Sequence, residues 1–227
     1  MTLLRRLAAE FLGTGVLLAA VVGSGIMGMA MSGGNAGIAL LANAAATAGI
    51  LYVLIAVLGP VSGAHFNPAV TLALRVHGAL GTREAIGYVI AQCAGAMAGV
   101  VLAHAMFGQP LLQPGAHART GAAQWLSEGV ATAGLLLTIL LGARTRPAAM
   151  PALVASYIFA AYWFTASTAF ANPAVTLARA LTRTFAGIRP GDVPGFMLAQ
   201  LAGTVAALLL APLLRAPAAV AESPPAA

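Results

Sequence analysis

Two asparagines, Asn67 and Asn172, each open the same seven-residue string, NPAVTLA. Asparagine carries two amide donors and one acceptor oxygen. Proline beside it suits the first position of a helix, where a backbone N–H would have no partner. Pro68–Ala69 and Pro173–Ala174 are therefore read as two helix starts, each with an Asn side chain and about half a positive charge at its tip. That is chemistry for holding a neutral oxygen, not for breaking a bond. The other polar groups set in apolar sequence are Glu10, Glu128, Gln92 and Gln200, with His65 two residues before the first box. They form no nucleophile–base pair, no paired aspartates and no His-Glu-x-x-His, so an enzyme is not expected. The single Cys93 excludes an intrachain disulfide and a multi-cysteine metal site. Neither metal nor cofactor is expected.

These groups lie in a chain of 227 residues that is 60% hydrophobic and 7% charged, against about 25% charged in a soluble domain. Too few polar residues remain to cover a water-exposed surface, so the chain is integral to a membrane. The net charge of +6 comes entirely from arginine. Those arginines are scattered among short loops, a pattern of membrane topology rather than nucleic-acid binding. The opening MTLLRR leads into an apolar stretch that contains Glu10 and continues to Met29 without a cleavage site. A retained first span is expected, not a signal peptide. The Pro/Ala-rich tail 216–227 is expected to be disordered.

A hydrocarbon core of about 30 Å needs about 20 apolar residues per helix. Six segments qualify: Leu7–Met29, Ala36–Gly59, Ala85–Phe107, Ala122–Gly142, Ala148–Ala166 and Pro194–Leu214. Each box follows the second or the fifth, with only about ten helix-compatible residues after it, too few to span. Half-helices are predicted over 68–76 and 173–182, entering the membrane and stopping near its middle. The repeat extends further, since Glu10 in AEFLGTGVLLAA matches Glu128 in SEGVATAGLLLT, and Gln92 in AQCAGAMAG matches Gln200 in AQLAGTVAA. The units are 1–117 and 118–215. Three spans per unit is an odd number, so the second copy enters from the opposite face and the half-helices meet from opposite sides. With both termini cytoplasmic, Arg5, Arg6, Arg75, Arg83, Arg144, Arg146 and Arg215 lie inside, against Arg119, Arg179, Arg183 and Arg189 outside, in keeping with the positive-inside rule. Carboxylates inside apolar helices are costly. Glu10 and Glu128 are read as acceptors for loop N–H groups rather than as a proton relay, with Gln92 and Gln200 in similar structural work. For His65, lining the path and packing the loop both stay open; His104, near a helix end, is read as packed or interfacial.

SGAHFNPAVT (Ser62–Thr71), with the second Asn-Pro-Ala, resembles the signatures of the major intrinsic protein family, the aquaporins and aquaglyceroporins. The resemblance spans the chain. It implies an aquaporin-like all-α membrane fold of six transmembrane helices and two re-entrant half-helices. It also implies a homotetramer with one pore per protomer, embedded in lipid, here of a bacterial inner membrane. The function implied is passive passage of small neutral solutes, with Asn67, Pro68, Ala69, Asn172, Pro173 and Ala174 at the pore centre. In most of the family an arginine follows the second box; here it is Val175. The family's spacing puts the other outer-constriction positions on Thr47, Ala160 and Ala169, which gives small walls, no aromatic side chain and no fixed charge. A valine there resembles a bacterial subgroup associated with arsenic resistance, implying arsenite as As(OH)3, alongside glycerol and water. Arg179 lies four residues on, on the same helix face and about 6 Å further out. It either leans back toward the constriction, replacing the missing arginine in a water-selective channel, or snorkels to outer headgroups or ties down the loop. A secondary transporter is the rival class, because inverted repeats with broken helices build those too.

Overall fold

The computed structural model describes residues 1–214; Arg215 and the tail 216–227 lie outside the described residues. The helices are α1 (Leu3–Met31), α2 (Ala36–Ser62), α3 (Pro68–Val76), α4 (Thr82–Met106), α5 (Ala122–Thr145), α6 (Met150–Phe164), α7 (Pro173–Arg179) and α8 (Val193–Leu213). Six stretches among the described residues are long and apolar enough to cross a membrane. For α6 this includes the 3₁₀ turn Pro147–Ala149, because its 15 residues alone rise only about 22 Å. The half-helices α3 and α7, with nine and seven residues, rise about 13 and 10 Å, less than half of a hydrocarbon core. Both begin as their sequence requires. Asn67 Oδ1 accepts from Ala69 N at 2.9 Å, and Asn172 Oδ1 accepts from Ala174 N at 3.0 Å and Val175 N at 3.2 Å, with proline in the first turn of each.

One expected boundary is corrected. The second half-helix ends at Arg179, not at residue 182. Thr182 Oγ1 is bonded to His104 Nε2 at 2.8 Å and to Thr184 Oγ1 at 2.9 Å, and Ile188 N donates back to Arg179 O at 3.1 Å. These contacts fold the chain over the end of α4 where a helix would have run on.

Helix α1 packs on α2 and α4, α5 packs on α6 and α8, α2 against α6 joins the halves, and α3 meets α7 between them. Two matching glycines stand at close crossings, one in each half: a Cβ on Gly95 would overlap Phe11 O, and one on Gly203 would overlap Gly129 O. In lipid, where tails are as apolar as leucine, such backbone approach is what draws helices together. Large side chains outside these seams, Leu12, Val57, Ile90, Leu126, Leu198 and Leu209 among them, are exposed on the molecular surface, as a lipid-facing shell should be.

Candidate functional site: a cavity between the half-helices

A cavity of about 240 Å³ lies where the half-helices meet. Its wall is mainly aliphatic, and its polar points include Thr47, His65, Asn67, Tyr162, Asn172 and Arg179. Each box asparagine reaches across the repeat: Asn67 Nδ2 donates to Ala171 O at 2.7 Å, and Asn172 Nδ2 donates to Phe66 O at 2.8 Å. One of the two hydrogens on each amide is thereby used, and the other remains for the cavity.

The segments before the boxes are irregular, with left-handed φ at Ala64 (50°) and Phe66 (49°), and again at Ala169 (49°) and Ala171 (47°). This conformation aims successive N–H groups at a buried carboxylate. Glu10 accepts from His65 N (3.0 Å), Phe66 N (2.7 Å), Ser62 Oγ (2.6 Å) and Gln92 Nε2 (2.8 Å). Glu128 accepts from Phe170 N (2.8 Å), Ala171 N (2.9 Å) and Gln200 Nε2 (2.7 Å). The glutamines also donate to Thr71 and Thr176 on the half-helices. Both carboxylates are fully buried and give their lone pairs to donors that have no helical partner. His65 lines the cavity, its Nδ1 3.1 Å from Thr71 Oγ1 and its ring edge-on to Tyr88.

At the α7 end the wall differs from the sequence expectation. Thr47, Ala169 and Val175 line the cavity, but Ala160 is exposed on the outer side of α6 and does not. The cavity stripe of α6 is Met150, Val154, Ile158 and Tyr162, spaced four apart. Residue 160 is two positions off that stripe, a rotation of about 200°. Tyr162 brings an aromatic ring and a hydroxyl 3.2 Å from Thr47 Oγ1. The expectation of a wall with no aromatic residue and no fixed charge is overturned, because Tyr162, Phe170 and Arg179 all line it.

Arg179 is buried, with its guanidinium carbon 3.4 Å from the Phe170 ring centroid and its Nε donating to Ala186 O. It does not extend to the lipid surface. Arg119, from the segment joining the repeats, approaches the same ring at 5.0 Å. Its Nε donates to Gly187 O (2.9 Å), its Nη1 to Ser167 O (3.3 Å), and its backbone N to Asp192 Oδ2 (2.8 Å). Partial desolvation, then the charges of Arg119 and Arg179, hold the nearby His117 imidazole below its ordinary pKa range. His104 is buried and spans from Leu111 O (2.8 Å) to Thr182, so it pins the loop that follows α7. Sequence reasoning did not find Tyr162, Phe170 or Arg119. The four-residue stripe of α6 was a usable signal for Tyr162, and the place of Phe170, matching that of His65, was one for Phe170.

A family model described as major intrinsic protein matches residues 1–162. The chain belongs to that family. Its members are channels rather than enzymes, and with six apolar spans this one is an integral membrane protein. The chain is 60% identical over 216 residues to aquaglyceroporin AqpS of Rhizobium meliloti (strain 1021), covering 95% of this chain and 92% of that protein. Aquaporin Z of Brucella melitensis biotype 1 is 35% identical over 143 residues, 62% of each chain. The X-ray structure of the aquaglyceroporin from Plasmodium falciparum superposes with a TM-score of 0.73 at 18% identity, covering 93% of this chain and 95% of that one. That likeness is one of fold.

Proposed function

We propose that this channel passes small neutral solutes down their gradients: glycerol, arsenite as As(OH)3, and water. The observation that carries the reading is an aliphatic cavity with a few fixed polar points, the two box asparagines among them. Such a wall suits a solute with a carbon or metalloid centre and several hydroxyls, which exchanges hydrogen bonds at those points and rests on the apolar wall between them. The relative called an aquaglyceroporin, 60% identical, supports the same substrate class. Two positive half-helix tips at the centre oppose cations and interrupt a proton wire. The carboxylates a coupled transporter would need are occupied by loop donors. The protein acts as a homotetramer in a bacterial inner membrane with both termini cytoplasmic.

One observation favours a second reading, a water-selective channel: Arg179 is part of the cavity wall. Its guanidinium is stacked on Phe170 and tied by Nε to Ala186 O, so it lies along the wall instead of across the path. That placement leaves the width that Val175 opens, and the broader substrate range is preferred. Light scattering from liposomes holding the purified protein, with water, glycerol and arsenite gradients in turn, decides between them. Water flux without glycerol or arsenite flux overturns the broader reading.

A further inference from the structure

Two guanidinium groups lie over the Phe170 ring without an ion-pair partner among the described residues, and one of them, Arg179, lines the α7 end of the cavity. The ion pairs among the described residues join Arg6 to Glu84 and Arg189 to Asp192; Arg119 and Arg179 have none. Glu128 spends its oxygens on Phe170 N, Ala171 N and Gln200 Nε2. Arg179 is 2% exposed, and Nε is its only side-chain nitrogen with a protein acceptor among the described residues. Its two terminal nitrogens are therefore unpartnered, on a side chain that lines the cavity. Neither nitrogen is among the fully buried side-chain atoms left without a partner, so both stay open to the cavity, and the ring face offers their N–H groups no acceptor oxygen. The paired N–H edge left free on a guanidinium matches two oxygens of a planar anion. Arg119 adds a second positive charge beside the same ring.

We propose that this end of the cavity is a binding site for a small planar monovalent oxyanion of the nitrate, formate or bicarbonate kind. The anion is held on the Nη1/Nη2 edge of Arg179, and Arg119 contributes long-range attraction. Once bound, it occupies the solute path and slows neutral flux. Only this last effect rests on the channel reading; the binding does not.

Nitrate is the probe, with gluconate, a carboxylate on a bulky polyol chain, as the reference at equal ionic strength and osmolarity. In thermal unfolding of the detergent-solubilised protein, nitrate raises the midpoint saturably relative to gluconate, as a ligand of the folded state must. Arg179→Gln abolishes that difference. Arg119→Gln weakens nitrate by about tenfold, in line with the loss of one nearby charge in a desolvated site, and Arg119→Lys, which keeps the charge, restores it. In liposomes nitrate lowers water and glycerol flux at least about twofold in the wild type, and the nitrate-to-gluconate flux ratio returns to one in Arg179→Gln. Equal midpoints in nitrate and gluconate for the wild type overturn the site. A nitrate shift that persists in Arg179→Gln means an adventitious ion only, and overturns it too. A shift without any change in flux overturns the plugging. A shift in a protein that passes no solute in either salt leaves the site standing and removes the channel reading.

Discussion

In the first repeat His65 stands two residues before its box asparagine, edge-on to Tyr88 with ring centroids 5.0 Å apart. In the second, Phe170 holds the matching place, edge-on to Phe196 at 5.1 Å. The first pair sits beside Arg6, which donates from Nε to Tyr88 Oη at 2.7 Å and is ion-paired with Glu84. The second sits beside Arg119 and Arg179, neither of them ion-paired among the described residues. Beneath these differences the support is the same: a carboxylate under the loop, a glutamine bonded to both that carboxylate and a half-helix threonine, and an asparagine reaching across. What repeats is whatever satisfies backbone N–H groups in a place without water, because neither copy can omit it. What differs is the set of side chains facing the cavity, which the fold leaves free to vary.

The shared support should be the most sensitive part and should fail alike in both halves. Glu10→Ala and Glu128→Ala each strand two loop N–H groups and a glutamine. At roughly 1–3 kcal/mol per stranded group, each should lose several kcal/mol of stability, seen as a collapse of monodisperse protein or of its thermal midpoint. Glu10→Gln, which keeps one acceptor oxygen, should be milder. A Glu128→Ala protein as stable as wild type would break the common-support account.

Next in size are the centre asparagines. Asn67→Asp and Asn172→Asp each lose the donor to the opposite carbonyl and place a negative charge among cavity walls. Both should raise cation leak in liposomes at least about tenfold, the effect of about 1.4 kcal/mol off the barrier. A leak in only one of the two would mean that the centre is not symmetric.

The α7 end should then diverge from the α3 end. Val175→Arg puts a second guanidinium one turn from Arg179, and glycerol and arsenite flux should fall about tenfold, more than water flux. Arg179→Ala should raise the glycerol-to-water flux ratio by about threefold, under 1 kcal/mol, while His65→Ala leaves that ratio near wild type. Equal shifts in these two variants would erase the proposed asymmetry. Tyr162→Phe should act on stability rather than on flux. It loses one hydrogen bond to Thr47, about 0.5–1.5 kcal/mol of stability, read as a modest drop in the unfolding midpoint.

Much of this was legible in the residues. Six spans followed from apolar length, and the half-helix starts from Asn-Pro, because capping and proline geometry are local. Ala160 was misplaced because spacing counted back from a box ignores how α6 is turned, and rotation about a helix axis is set by packing against α2 and α5. Helix-compatible sequence overstates the second half-helix, because its end is enforced by His104, a residue far away in the chain.

The sequence by itself determined that this protein lives in a membrane, that one seven-residue box occurs twice, and that each box opens a short helix. Composition, an exact repeat and an Asn-Pro cap suffice for that. Only the tertiary structure decided which side chains share the cavity. Tyr162, Phe170 and Arg179 come from three separate segments, and no periodicity within any one of them states that they converge. That Arg179 lies against the cavity wall rather than at the lipid-facing surface depends on the Phe170 ring and the Ala186 carbonyl. A long side chain goes where its distant neighbours offer a surface and an acceptor.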